Sequence, residues 1–237
     1  MAIIENKYRI GVKYVNQNRL LTLRGIILLL EDLACRHSDM VGFGINDTLK
    51  TNLSWVLLNW KIKILKEANY GSTVTVKTWS RDTNKLYTYR DFEIYDENNN
   101  LICIASSKWV LLSTKTGHIT QITDEIRNAY NPENKTVFEE PEISKLIEPS
   151  NANETFSFRV NRRDIDINNH MNNLYYLDYA LEALPEDVYL KKFKNVEITY
   201  KNSSKLGDIV NCFYKEQEDG YYVSLLYTSD AADERSS

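Results

Sequence analysis

The feature that most constrains this chain is an internal repeat. "VNQNRLLTL" (15–23) lies beside "IDINNHMNN" (165–173) at an offset of about 150 residues, pairing Asn18 with Asn168 and Thr22 with Asn172. The order of elements around each copy also agrees. "KYRIGVKYV" (7–15) has tyrosine and β-branched residues at strand spacing. Thr22 suits a helix cap, and Ile26, Ile27, Leu30, Leu33 and Ala34 form an apolar stripe that predicts a helix from Leu23 to about His37. Four strand-like runs follow: "LSWVLLNWKIKILK" (53–66), "STVTVKTWS" (72–80), "YTYRDFEIYD" (87–96) and "LICIASSKWVLLS" (101–113). The last two are joined as a hairpin through "ENNN" (97–100). In the second half "TFSFRVNRR" (155–163) reads as a strand. "NNLYYLDYALEAL" (172–184) reads as a helix with Asn172 as its cap and Pro185 just past its end. "FKNVEITYKN" (193–202), "DIVNCFYKE" (208–216) and "YYVSLLY" (221–227) read as strands. A β-α-β-β-β-β unit used twice, one long helix followed by an antiparallel meander, is the expected α+β architecture.

Between the halves, residues 131–154 are Glu-, Asn- and Pro-rich without a clear period and read as a linker crossing the surface. The expected division is therefore 1–130 for the first domain, 131–154 for the linker and 155–227 for the second domain. The final stretch "LLYTSDAADERSS" (225–237) breaks the strand pattern and resembles a sequencing-library transposon adapter read as coding sequence. Residues 228–237 are accordingly expected to be a non-native tail, with the second domain truncated near Tyr227.

The totals exclude several classes of function. The formal net charge of −4 advertises neither nucleic acid nor an anionic membrane surface. The longest greasy segment, "GIILLL" (25–30), is too short to span a bilayer, and "MAIIENKYRI" lacks the apolar stretch of a signal peptide. Cys35, Cys103 and Cys212 are widely spaced and odd in number, which suggests reduced thiols in the cytoplasm and not a disulfide frame. The sequence has no CxxC, HExxH, GxGxxG or P-loop spacing, so no metal or nucleotide cofactor is expected.

The two copies of the repeat differ in chemistry. Asp166 faces Asn16, and His170 faces Leu20, so only the second copy has an ionisable pair. In an extended segment, residues two apart lie on one side, which would aim Asp166, Asn168 and His170 into one pocket. His170 titrates near neutrality and suits proton transfer to or from water. Asp166 has the charge to orient an imidazole, and Asn168 offers both a donor and an acceptor. The helix that begins just afterwards turns free N–H groups toward the same place, suited to a developing oxyanion. On the residues alone a second reading stands beside this one: polar turn and capping groups ahead of a helix.

Four stretches carry a family likeness: "TWSRD" (78–82) with "YRDFEIYD" (89–96), "ASSKWVLLSTKTGHITQITDEI" (105–126), "DIDINNHMNN" (164–173) and "EITYKN" (197–202). On these, from about Tyr8 to Tyr222, the chain resembles the bacterial and plant fatty acyl-ACP thioesterases. The resemblance implies two tandem hot-dog domains, each an antiparallel sheet wrapped around a long central helix, with the acyl cavity chiefly in the N-terminal one. It implies catalytic roles for Asp166, Asn168 and His170, which match the family's Asp, Asn and His position by position. It also exposes a departure. Ser203 and Ser204 stand where the family carries a Glu and, in many plant members, a Cys. A cysteine-nucleophile mechanism cannot run from Ser204. Either His170 with Asp166 suffices, or Glu197 on the same strand contributes, or activity is reduced.

The implied reaction is hydrolysis of a fatty acyl-ACP to free fatty acid, without a cofactor, by a cytoplasmic monomer or homodimer. Carrier protein is acidic, so the basic residues Arg162, Arg163, Lys191, Lys192 and Lys194, with Lys201 and Lys205, are candidates to bind it; an ordinary solvated surface is the plainer reading. An acyl-CoA thioesterase and a non-catalytic acyl-binding protein are the alternatives. His37 is expected to cap a helix end as a cation, and His118 to lie in a solvated turn. The three cysteines and the four tryptophans are expected in the core, some of the latter lining the acyl chamber.

Overall fold

The computed structural model describes residues 2–82 and 85–228, without the side chains of residues 227 and 228. The chain divides into two compact units. The first comprises residues 1–145 and 193–199, and the second residues 146–192 and 200–237.

In the first unit, β1 (Ile3–Arg9) is followed by a 3-10 turn at Val12–Tyr14 and by α1 (Leu23–Met40). A short helix α2 (Thr48–Thr51) leads to β2 (Leu53–Ile64), β3 (Thr73–Ser80), β4 (Tyr87–Tyr95), β5 (Leu101–Ser113), the two-residue β6 (Ile119–Thr120) and α3 (Asp124–Tyr130). Helix α1 forms where the apolar stripe lies. Thr22 caps it by accepting the Gly25 N–H, and Ile26, Ile27, Leu29, Leu30, Leu33 and Ala34 are buried. Gly25 is required there, since a Cβ would sit 2.4 Å from the Tyr14 carbonyl oxygen. The antiparallel sheet runs β1-β3-β4-β5-β2, and Trp60, Trp79 and Phe92 are among its fully buried side chains. The first strand lies earlier than the sequence pattern places it. It stops at Arg9 because its partner begins opposite, at Thr73; Tyr14 instead turns back to accept the Thr22 N–H.

The second unit contains β7 (Asn153–Arg159), a 3-10 turn at Arg162–Asp164, α4 (Asn173–Glu182), the single-turn α5 (Glu186–Tyr189), β9 (Ile209–Gln217) and β10 (Gly220–Thr228). Its described sheet has the order β10-β9-β7. Val160, Met171 and Val210 form the buried cluster, with Phe158, Ile165, Tyr175, Tyr176, Tyr179 and Leu225 packed on it. Tyr179 stacks on Phe158 at 3.4 Å between ring centroids. Helix α4 is shorter than α1 and only Leu174 and Leu177 are buried along it.

Two features depart from the expected division. Strand β8 (Asn195–Thr199) belongs to the first unit, where it pairs with β2 and Asn59 Nδ2 donates to Thr199 Oγ1 at 2.8 Å. Residues 133–143 are fastened to the first sheet like a strap, although 131–152 contain no helix or strand. Trp79 Nε1 donates to the Lys135 carbonyl (2.9 Å), Arg81 Nη2 to that of Pro141 (2.6 Å), and the Val137 N–H to buried Asp91 (3.1 Å). Thr228 ends β10, and residues 229–237 of the expected non-native tail lie outside the described residues.

Candidate active site

The segment 165–171 is a closed turn and not an extended strand, so strict alternation does not bring Asp166, Asn168 and His170 together. Ile165 and Met171 pair as an antiparallel bridge. Across them the Asp166 N–H donates to the His170 carbonyl (2.8 Å) and the Asn169 N–H to the Asp166 carbonyl (3.1 Å). Asn169 takes the left-handed conformation, φ 60°, which asparagine tolerates better than most residues. The Asp166 carboxylate sits inside the turn. Its Oδ1 accepts the N–H of Asn168 (2.8 Å) and of His170 (3.4 Å), and Asn168 Nδ2 lies 3.4 Å from Oδ2. The turn thus gathers the three residues by backbone closure. Asp166 meets His170 through the main chain, and the imidazole has no hydrogen-bond partner among the described residues. Asn168 and Ile167 are exposed, while Asp166 and His170 are partly buried.

Helix α4 starts directly behind the turn. Asn172 Oδ1 accepts the Leu174 N–H (2.9 Å), as its sequence position suggests, and the Asn172 N–H donates to the Asp164 carbonyl (2.8 Å). Asp164 is an anchor that the sequence reading did not single out. It is fully buried, its Oδ2 accepts the Asn161 N–H (2.8 Å), and the Tyr179 hydroxyl lies 3.4 Å away. Its Oδ1 has no hydrogen bond, with Arg163 Nε at 3.5 Å. The available signal was the second acid in "DID", absent from the first copy, where Tyr14 stands.

Strand β8 ends at Thr199, so strand parity does not extend to Ser203. Ser203 is exposed, and Ser204 is buried beside the turn, its carbonyl accepting the Met171 N–H (2.9 Å). Glu197 is exposed on β8 of the first unit, opposite Lys61. Arg162, Arg163, Lys191, Lys192, Lys201 and Lys205 are exposed residues of the second unit, whereas Lys194 is an exposed residue of the first.

The structure corrects the expectation for His37. It is completely buried within α1, and its Nδ1 lies 2.9 Å from Arg90 Nη1. A guanidinium only donates, so Nδ1 accepts and carries no proton. His118 is an exposed residue in a turn. Cys103 and Cys212 are buried, as expected, and Cys35 is exposed. Burial pushes both buried thiols up to about 12, so neither is a thiolate nucleophile near neutrality. Among the described residues no group of three or more His, Cys, Asp or Glu side chains could hold a metal. No helix among them is long and apolar enough to cross a membrane.

The same turn occurs in the first unit. Val15 bridges Leu21, the Asn16 N–H donates to the Leu20 carbonyl (3.0 Å), and Arg19 is left-handed at φ 62°. Asn16 Oδ1 accepts the N–H of Asn18 (3.0 Å) and Leu20 (3.2 Å), the same bonds that Asp166 accepts in the second copy. The duplication read from sequence is present in the backbone.

Comparison with known proteins agrees with this architecture. A family model described as the acyl-ACP thioesterase N-terminal domain matches residues 2–130, and one described as the C-terminal domain matches residues 147–236. The chain is 29% identical to the chloroplastic oleoyl-acyl carrier protein thioesterase 2 of Arabidopsis thaliana, over 94% of this chain and 64% of that protein. It is 27% identical to the chloroplastic palmitoyl-acyl carrier protein thioesterase of Cuphea hookeriana, over 78% of this chain and 48% of that one. The chain therefore spans less than two thirds of the length of these curated relatives. Among solved structures, an acyl-ACP thioesterase from Bacteroides thetaiotaomicron superposes with a TM-score of 0.85 at 24% identity, covering 97% of this chain and 93% of that one. The 12:0-ACP thioesterase from Umbellularia californica gives 0.84 at 20% identity, covering 96% and 93%. The shared fold is the tandem hot-dog expected from the sequence. With a family model matched to each half of its repeat, the chain belongs to the acyl-ACP thioesterase family.

Proposed function

We propose that this protein hydrolyses the thioester of a fatty acyl chain on acyl carrier protein, releasing free fatty acid and ending elongation. One observation carries the reading. Two copies of one turn are folded alike, and only the second has an acid and an imidazole, Asp166 and His170, on it. A turn needs neither ionisable group, since Asn16 and Leu20 make the same bonds without them. The relatives named above are thioesterases acting on acyl carrier protein.

In this reading His170 takes a proton from water as the oxygen attacks the thioester carbonyl, and returns it to the departing carrier thiolate. Asp166 stabilises the imidazolium through the turn. Asn168, exposed at the rim, positions water or the carbonyl oxygen. The N-terminal end of α4 faces the charge that develops on that oxygen. Ser203 and Ser204 supply no carboxylate, so the pair on the turn does the acid–base work. Arg162, Arg163, Lys191, Lys192 and Lys194 steer the acidic carrier, and the reaction takes place in the cytoplasm, where the free cysteines stay reduced.

The test is an assay of the purified chain against acyl-ACPs of graded length, with the matching acyl-CoAs in parallel. Free fatty acid is expected from acyl-ACP at a higher kcat/KM than from acyl-CoA, and this ratio should fall steeply with added salt. Preference for acyl-CoA would replace the substrate. A rate indifferent to salt would remove the basic residues from the account.

A further inference from the structure

Besides 166 and 170, a further pair of positions gains polar groups in the second copy, and the structure joins that pair. The Ser204 carbonyl accepts the Met171 N–H at 2.9 Å, and the Ala68 carbonyl accepts the Leu21 N–H at 2.9 Å, so Ser204 and Ala68 occupy one place in the repeat. On the helix, at the repeat offset, Tyr176 corresponds to Ile26. Ile26 and Ala68 are both buried apolar side chains. In the second copy the Tyr176 hydroxyl instead accepts the Ser204 N–H at 2.7 Å.

We propose that Tyr176 is a positioning residue for the hydrolysis put forward above: its hydroxyl holds the Ser204 backbone, and through it the end of the turn that carries His170. The inference rests on that functional reading. The connection is short. Tyr176 fixes Ser204, Ser204 fixes Met171, and Met171 is bonded covalently to His170. Tyr176 also packs on the cluster that contains Met171, and its ring meets that of Tyr200 edge-on at 6.2 Å. On a helix, long side chains lean toward the N-terminus, which sets this hydroxyl at the end of α4 beside the turn. A neutral hydroxyl that clamps the backbone supplies rigidity at a place where the expected carboxylate is missing. Displacing a catalytic group by about 1 Å is enough to cost on the order of 100-fold.

Tyr176→Phe removes the hydroxyl and keeps the ring, and Tyr200→Phe serves as the matched control, because the Tyr200 hydroxyl donates to the Asn173 carbonyl (3.5 Å) and leaves the Ser204–Tyr176 bond in place. Two quantities are to be read on the full chain: kcat and KM with the best acyl-ACP, and hydrogen exchange of the Ser204 amide. Tyr176→Phe is expected to lower kcat about tenfold with KM held, and to speed Ser204 exchange about tenfold or more; Tyr200→Phe should change neither kcat nor that exchange. Parental kcat in Tyr176→Phe, unchanged Ser204 exchange, or an equal loss in Tyr200→Phe would overturn the assignment. A parental chain that hydrolyses no acyl-ACP would instead sink the functional reading and the positioning role with it. The exchange result then still decides whether Tyr176 holds Ser204.

Discussion

The turn at 165–171 and the turn at 15–21 have one backbone and two chemistries. Each closes through the same pair of main-chain bonds, carries one left-handed residue, and leads into a capped helix. In each, an oxygen at the second position accepts two N–H groups ahead of it: Asn16 Oδ1 in one, Asp166 Oδ1 in the other. An amide suffices for the geometry. The carboxylate and the imidazole of the second copy are therefore surplus to folding, which is why they are read as function. The helices behind the turns differ in the same sense. Helix α1 is buried along an apolar face, whereas α4 presents Tyr175, Tyr176 and Tyr179 partly buried.

The comparison breaks most visibly at the imidazole. His170→Ala is expected to lose about 10²–10⁴-fold in acyl-ACP hydrolysis, the usual contribution of a general base, while Leu20→Ala leaves the rate unchanged. Parental turnover in purified His170→Ala would remove the residue from the mechanism. A smaller effect comes from rewriting the second turn as the first. Asp166→Asn preserves an oxygen for both N–H groups, so the melting temperature should hold while kcat falls on the order of 10²-fold. If the rate survived this change, Asp166 would be no more than the turn residue that Asn16 is. The smallest effects belong to the caps. Thr22→Ala and Asn172→Ala should each cost about 1 kcal/mol in urea denaturation. Only Asn172→Ala should also lower turnover, because α4 and not α1 opens beside the ionisable pair.

Local features of the fold were legible in the chain itself. Thr22 and Asn172 cap helices as their types predict, because a cap bond spans only two or three residues. The apolar stripe from Ile26 to Ala34 marks the buried face of α1, and the strand-like runs 72–80, 87–96 and 101–113 are strands at 73–80, 87–95 and 101–113. The repeat could be found because both copies need the same short-range hydrogen bonds. The alternating-strand reading of Asp166, Asn168 and His170 does not hold, since the segment closes into a turn across the Ile165–Met171 bridge; a polar run of that length closes as readily as it extends.

The sequence by itself determined the duplication, the helices and their caps, most of the strands, and the asymmetry that singles out Asp166 and His170. Only the tertiary structure decided that β8 joins β2 in the first sheet, that residues 133–143 bind along β3 and β4, that His37 accepts from Arg90 in the core, and that Tyr176 reaches Ser204. The physical reason is range. Periodicity and capping are written within a few neighbouring residues. A sheet partner is chosen through backbone groups common to every strand, and groups 28 to 53 positions apart, the Tyr176 hydroxyl with the Ser204 N–H and the His37 ring with the Arg90 guanidinium, meet only once the chain has closed.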